Sequence, residues 1–369
     1  MSSNHTMSQL PPFLQLGIPW REDIHKWLSI PFFFLYLAAA LGNGAILVAV
    51  ARNPSLREPM HCFLSMLAVT DLTLSGTTLP TTLGLLWFGI SQVAFDVCLT
   101  QMFFIHVASV AESSVLLAMA VDRWAAIACP LRYSALLTHR VVAKVGLAVL
   151  VRSALTLLPL PFLLLRLTYN DQRKLTHSFC FHPDIMKLAH NETEVNVHYG
   201  LFVILSTAGI DSVLIILSYI PIARVILGLG SWGERVRAAG TCVSHVAAVL
   251  VFFVPMIGLS VMHRFGSHGP LPLALVAYTY LLVPPALNPV IYSIKCQCIW
   301  KTLLKLCFYQ PGAPSWGSSP HPTHIGNKSP PITCSQRYSG QIVQMESQPL
   351  ESSQSDETVI GLVFQDAPV

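Results

Sequence analysis

Charge is what this sequence has least of. Only 11% of its 369 residues are Asp, Glu, Lys or Arg, against 53% hydrophobic, and its mean hydropathy is +0.57. A soluble domain carries roughly 25% charged residues. A chain this poor in charge cannot dress a water-facing surface of its size, so lipid must cover much of it. The net charge of +4 is too mild to suggest a nucleic-acid partner. Residues 1–28 also lack an apolar core followed by a small-residue cleavage site, so they do not read as a signal peptide. The first long apolar run is expected to act as the targeting signal.

What is present in quantity is long apolar runs. A helix needs about 20 apolar residues to cross a bilayer core. Seven stretches qualify, at about 29–51, 60–88, 98–122, 142–165, 197–226, 238–262 and 272–294. The count drops to six if 272–294, with Pro284, Pro285 and Pro289, is a re-entrant piece. The expected fold is therefore an all-α membrane protein, a seven-transmembrane helix bundle. Orientation follows from the Lys and Arg positions. Arg52, Arg57, Arg132, Arg140, Lys144, Arg224, Arg235, Arg237, Lys295, Lys301 and Lys305 lie in one set of loops, close to the spans. The opposite set is poorer in base and offset by acids. This places residues 1–28 outside, 29–294 in the membrane and the C-terminus in the cytosol. Two glycosylation sequons, at Asn4 and Asn191, both fall on the predicted outer side.

Of nine cysteines, only Cys98 and Cys180 are predicted to lie outside, so they are the natural disulfide pair. The bond would pin a loop of about 30 residues across the mouth of the bundle.

Ionisable groups inside a membrane are expensive and usually functional. Spans two and three carry Asp71 and Glu112. Each lies 11 residues from the cytosolic end of its span, marked by Met60 and Arg123, or about 16 Å along a helix. Two carboxylates at one depth repel unless they share a proton or a cation such as sodium. Separate hydrogen bonds to Ser, Thr or Asn groups are the other reading. Near the cytosolic end of span seven, Asn288-Pro289-Val290-Ile291-Tyr292 is expected to kink. The kink is either static or a place where two packings lie close in energy. Asp122-Arg123-Trp124 ends span three, where a plain helix-end ion pair is the simplest reading.

Together these features resemble the rhodopsin-like G-protein-coupled receptors. Finer motifs narrow the resemblance to the olfactory receptors: Pro59-Met60-His61-Cys62-Phe63-Leu64, Met119-Ala120-Val121-Asp122-Arg123-Trp124 with Ala126-Ile127, Ser218-Tyr219, Thr241-Cys242-Val243-Ser244-His245, and Pro284-Pro285-Ala286-Leu287-Asn288-Pro289 with Ile291-Tyr292-Ser293. The likeness covers about residues 10–308. Val261-Met262-His263-Arg264-Phe265-Gly266 and Glu112-Ser113 are similar to the class I branch, nearest family 51. The resemblance implies an odorant ligand and a heterotrimeric G protein of the stimulatory, olfactory type, with a rise in cyclic AMP. It implies that Asp122 holds Arg123 at rest and releases it on activation, and that Tyr219, Phe253, Asn288, Pro289 and Tyr292 take part in the switch.

The chain also departs from the family. Trp124 replaces a Tyr and lacks its hydroxyl, and Gly240 replaces a common Asn. A second cysteine pair of the outer loop is missing from both its places, now Asn170 and His190, so a looser loop is expected.

The outer third of the bundle is the expected ligand site, since concave apolar pockets with a few polar groups are the default for small molecules. His106 lies about 12 Å below Cys98 along span three, and Phe103, Ser109, Val110 and Ser113 share its face by spacing. Arg264, at the outer end of span six, with His106 or with His182 just past the disulfide, could pair with a carboxylate. The class I resemblance points to water-soluble odorants, including short acids. A snorkelling base and a packed core histidine are the plainer readings of Arg264 and His106.

Residues 295–308 read as a short amphipathic helix on the cytosolic membrane face. Residues 309–369, rich in Pro, Gly and Ser, read as a disordered tail. A channel or transporter would show repeated or matching broken segments, which are absent. An enzyme reading fails because Ser244 and His245 are adjacent on one helix and diverge by about 100°. A retinal pigment needs a lysine inside span seven, and Lys295 lies only at its end.

Overall fold

Among the described residues, seven helices are long and apolar enough to cross a membrane: Ser29–Arg52, Pro59–Phe88, Phe95–Ala128, His139–Leu165, Glu194–Gly228, Cys242–Phe265 and Pro270–Ser293. They are spans one to seven below. The computed structural model describes residues 11–17, 22–169, 173–190, 192–265 and 269–295. Asn4, Asn170, Asn191, the helix expected after residue 295 and the tail lie outside the described residues. So do all of residues 322–369, the second of two units into which the chain divides. "Outer" means the Cys98 end, as the Lys and Arg distribution assigns it.

Local sequence explains where the helices begin and end. Pro59 opens span two at a position whose N–H would have no helical partner anyway. Gly89 closes it in the left-handed region, φ +66°, which a glycine adopts without steric cost. Thr138 caps span four, its hydroxyl accepting the Val141 N–H. Span four is broken at Leu158, just before Pro159. Span five contains one wide π-helical turn, Leu205–Gly209.

Span three is the central helix, packed on spans two, four and five and the most buried of the seven. The core joins Leu67 and Leu74 of span two, Val115, Leu116 and Met119 of span three, Phe252 of span six and Leu281 of span seven. Spans four and five turn Leu147, Leu150, Leu155, Ile216 and Leu217 outward, as lipid-facing helices should.

Spans one and seven meet through a feature the sequence reading did not pick out. Pro289 has no N–H, so the carbonyl of Pro285, four residues back, loses its helical donor. Asn43 fills the gap, its Nδ2 donating to Pro285 O at 2.9 Å. Gly42 makes room: a Cβ there would lie 2.7 Å from Pro289 Cβ.

The outer end also carries a small sheet that an all-helical reading omits. Strand β1 (Phe13–Gln15) pairs antiparallel with β2 (Gln92–Val93) and parallel with β3 (Lys174–Leu175). Phe13 is fully buried, stacked on Phe95 and edge-on to Tyr169, with the Arg173 guanidinium over both Phe13 and Tyr169.

Candidate ligand cavity and switch residues

The second outer loop forms the roof of a cavity. Cys98 and Cys180 are disulfide-bonded. Gln101 of span three accepts the Cys180 N–H at 2.9 Å and donates to Thr77 O at 2.7 Å, so loop and spans two and three are fixed together. The described residues beside the places of the missing second cysteine pair are joined through their backbone. Tyr169 and Ala189 form an antiparallel bridge, and the His190 N–H donates to Thr168 O at 2.9 Å. Backbone pairing thus closes the loop beside the two lost sulfurs.

Below this roof lies a cavity of ≈ 110 Å³, where a single water needs roughly 10–15 Å³ on the same measure. His106, Ser109, Val110 and Ser113 line it from span three, His182 from the loop and Arg264 from span six. Four of the five residues that spacing grouped on span three thus line the cavity, and one does not. Phe103 does not line the cavity but packs into the apolar cluster around Phe95 and Leu167.

The polar groups differ in what they have left to offer. His106 Nδ1 lies 2.8 Å from Met102 O. A carbonyl only accepts, so Nδ1 carries the proton. The ring stacks on Phe181 at 5.2 Å between centroids. Ser109 accepts from Tyr280 at 2.5 Å and donates to Ile105 O at 2.8 Å. Ser113 donates to Asp211 at 2.8 Å. Both serines are thus committed to protein partners. His182 is 4% exposed, and its Nε2 has no hydrogen-bond partner among the described residues. Burial, with His106 and the Arg264 guanidinium nearby, pushes the His182 imidazole down to about 3, so it is neutral at physiological pH. Arg264 makes one long hydrogen bond, to Ser260 O at 3.4 Å.

Two charged residues escaped the sequence reading. Asp211 of span five is 1% exposed, and its carboxylate takes Arg152 of span four at 2.9 Å, besides Ser113. Arg152 also donates to Ser114 at 2.7 Å and to Ser206 O, in the π turn, at 2.9 Å. A π turn leaves carbonyls without regular partners, and this guanidinium satisfies one. The rule that singled out Asp71 and Glu112 applies equally to Asp211 and Arg152. Tyr280 was missed too, since an aromatic in an apolar span carries no such signal.

Deeper in the bundle Asp71 and Glu112 meet as their depths implied, joined through an asparagine of span seven. One amide bridges them: Asn288 Nδ2 lies 3.1 Å from Asp71 Oδ2 and 3.4 Å from Glu112 Oε1. Glu112 Oε2, Asn288 Oδ1 and Ser75 Oγ have no hydrogen-bond partner among the described residues.

At the cytosolic end Arg123 lies 3.7 Å from Asp122, and its guanidinium contacts Met60 Sδ. Tyr133, from the following loop, donates to Asp122 at 2.8 Å. Burial and the Asp122 charge hold the Tyr133 phenol well above its ordinary value, so it remains a donor. This hydroxyl reaches the motif from outside it, whereas Trp124 has none to give. The motif residues of spans five and six also meet. Tyr219 Oη and His245 Nδ1 are 2.7 Å apart, and His245 Nε2 is 3.0 Å from Leu116 O of span three. Ser244 turns the other way and donates to Ile291 O of span seven at 3.1 Å. Tyr292 donates to Met119 Sδ at 3.9 Å. Phe253 packs edge-on against Phe252, which approaches Tyr280 of the cavity wall.

A sequence model of the family described as "Olfactory receptor" matches residues 32–309. The chain belongs to the olfactory receptor family. It is 50% identical to human (Homo sapiens) olfactory receptor 51G1 over 298 residues, covering 80% of this chain and 93% of that receptor. It is 49% identical to human olfactory receptor 51G2, covering 80% of this chain and 95% of that one. Mouse (Mus musculus) olfactory receptor 51E2 is 47% identical, with 80% and 92% covered. As a member of this family the protein is a multi-pass membrane receptor, not an enzyme. It binds odorants and couples to heterotrimeric G proteins.

Proposed function

We propose that this receptor binds a small, water-soluble odorant, a short carboxylic acid in the first instance, in the outer cavity. The observation that carries the reading is the pairing of an under-used cation with a neutral imidazole. Among the described residues Arg264 keeps nearly all of its guanidinium donors, and His182 faces the same space uncharged. A guanidinium takes a carboxylate in two parallel charge-assisted bonds. His106 and Val110 shape the apolar wall. Ser109 and Ser113 hold Tyr280 and Asp211 in place rather than meeting the ligand with free hydroxyls.

The signal runs downward from Tyr280 through Phe252 and Phe253 to Tyr219, Asn288, Pro289 and Tyr292. Release of Arg123 from Asp122 then exposes the receptor to a stimulatory, olfactory-type G protein, and cyclic AMP rises. A proton or a sodium ion shared by Asp71 and Glu112 holds the resting state. The partnerless oxygens around Asn288 suit such a hard cation. One further assignment stays with this proposal: residues 1–28 lie outside, with glycans at Asn4 and Asn191.

The test is cyclic AMP in cells expressing the full chain, against short acids, alcohols and esters. A response led by acids supports the reading. A response confined to neutral odorants, with the protein at the cell surface, overturns the carboxylate assignment.

A further inference from the structure

His263 stands next to Arg264 at the outer end of span six, yet its ring turns toward the loop. Its Nδ1 lies 3.9 Å from Asp184 Oδ1, while His177 contacts the other oxygen of the same carboxylate. One ligand atom from each of these three residues lies within 4.8 Å of the other two. The side chains are 0–2% exposed. His177 Nε2, His263 Nε2 and Asp184 Oδ1 have no hydrogen-bond partner among the described residues. Buried polar atoms are normally paired, and a buried cluster that leaves three of them unpaired needs a reason.

We propose that His177, Asp184 and His263 bind a first-row transition metal ion, Zn²⁺ being the simplest case, which fastens the second outer loop to span six. Two imidazoles and one carboxylate are the donor set of open zinc sites, which keep a fourth position for water. Alkaline-earth ions prefer oxygen-rich cages and do not suit it. Asp184 supplies one negative charge. Burial works against that charge, but the His177 hydrogen bond and the neighbouring His263 and Lys187 together hold the carboxyl below its ordinary value. The rings of Phe179 and Phe181 lie 5.2 and 5.3 Å from those of His177 and His263 and pack against the two imidazoles. Metal bonds of about 2.0–2.1 Å require the ligand atoms to close to roughly 3.4 Å. The group that opposes this is Lys187, whose Nζ sits 3.2 Å from His263 Nδ1. It is solvent-exposed and can swing away.

The site differs from the odorant cavity but governs its roof. Phe181 and His182 lie between His177 and Asp184 in the chain, and both line the cavity. A bound ion would fix their height and the end of the helix that carries Arg264. The inference stands apart from the odorant reading, and its test uses no odorant.

The experiment is thermal unfolding of the purified full-length receptor in nanodiscs, with ZnCl₂ titrated from nanomolar to high micromolar and MgCl₂ in parallel. Zn²⁺ at micromolar concentration is expected to raise Tm by several degrees, and Mg²⁺ is not. His177→Gln and His263→Gln should each abolish the shift while unfolding normally in EDTA. His198→Gln, at an exposed histidine of span five, should keep it. Lys187→Gln should lower the half-saturating Zn²⁺ concentration several-fold. No shift in the wild type, or an undiminished shift in His177→Gln and His263→Gln, overturns the site. If either of those variants does not fold, Lys187→Gln decides, and an unchanged half-saturating concentration overturns the site.

Discussion

Asn43 and Pro289 act on the same carbonyl: the proline leaves Pro285 O without its helical donor, and the asparagine of span one supplies another at 2.9 Å. Leaving a buried acceptor unsatisfied costs about 1–3 kcal/mol. Asn43→Leu is therefore expected to lower Tm in nanodiscs. Pro289→Ala restores the N–H, so the double variant should be destabilised by less than the sum of the two single changes. Strict additivity, measured by the same unfolding assay, would mean that Asn43 stabilises the bundle by some other contact.

The pair Arg152–Asp211 joins spans four and five and reaches the π turn through Ser206 O. Removing one partner of a buried ion pair typically costs about 3–5 kcal/mol, because the other charge is stranded. Arg152 is partly exposed, so the lower end applies to Asp211→Leu and to Arg152→Leu. Surface expression and Tm should fall in each. The double substitution should recover part of the loss, since no charge is then stranded. A double variant as poor as the sum of the singles would argue against the pairing.

Asn43, Asp211 and Arg152 mark the limit of what the sequence disclosed. The seven spans were legible because a bilayer imposes length and hydropathy on each segment alone. Cavity residues on span three were legible because one helix fixes its own spacing. Asn43 was not, because its role depends on span one lying against a proline on span seven. Asp211 and Arg152 each satisfy the rule that singled out Asp71 and Glu112, but they lie on different spans and only packing pairs them. Strand β1 has three residues, too few to show a period of two. The site at His177, Asp184 and His263 depends on how a loop folds back on a helix end, which no linear spacing encodes.

The pH dependence of stability follows from His182. Its pKa lies at about 3 in the folded receptor, against an ordinary 6.5. Between those values the unfolded chain binds a proton that the folded one refuses. The stabilisation is thus complete above about pH 6.5 and is lost as pH falls toward 3. At about 1.4 kcal/mol per unit it amounts to about 2 kcal/mol by pH 5. His106 of span three and Arg264 of span six face the ring and both oppose its protonation, while Gly200 of span five carries no charge. Unfolding scans from pH 7.5 to 5 should show Tm falling in the wild type and falling less in His182→Gln. Equal slopes would show that another group sets the dependence.

The carboxylate contact proposed for Arg264 is the central claim, and a matched pair of ligands isolates it. A short carboxylic acid and its primary amide differ little in shape but fully in charge. Cyclic AMP dose–response curves for both should be measured in the wild type and in Arg264→Ala, at equal surface expression. Hydrogen bonds to a charged group contribute about 1.5–3 kcal/mol, or about 10- to 100-fold in affinity. The account predicts that the wild type prefers the acid by about that factor and that Arg264→Ala loses the preference. An acid preference that survives Arg264→Ala would contradict it.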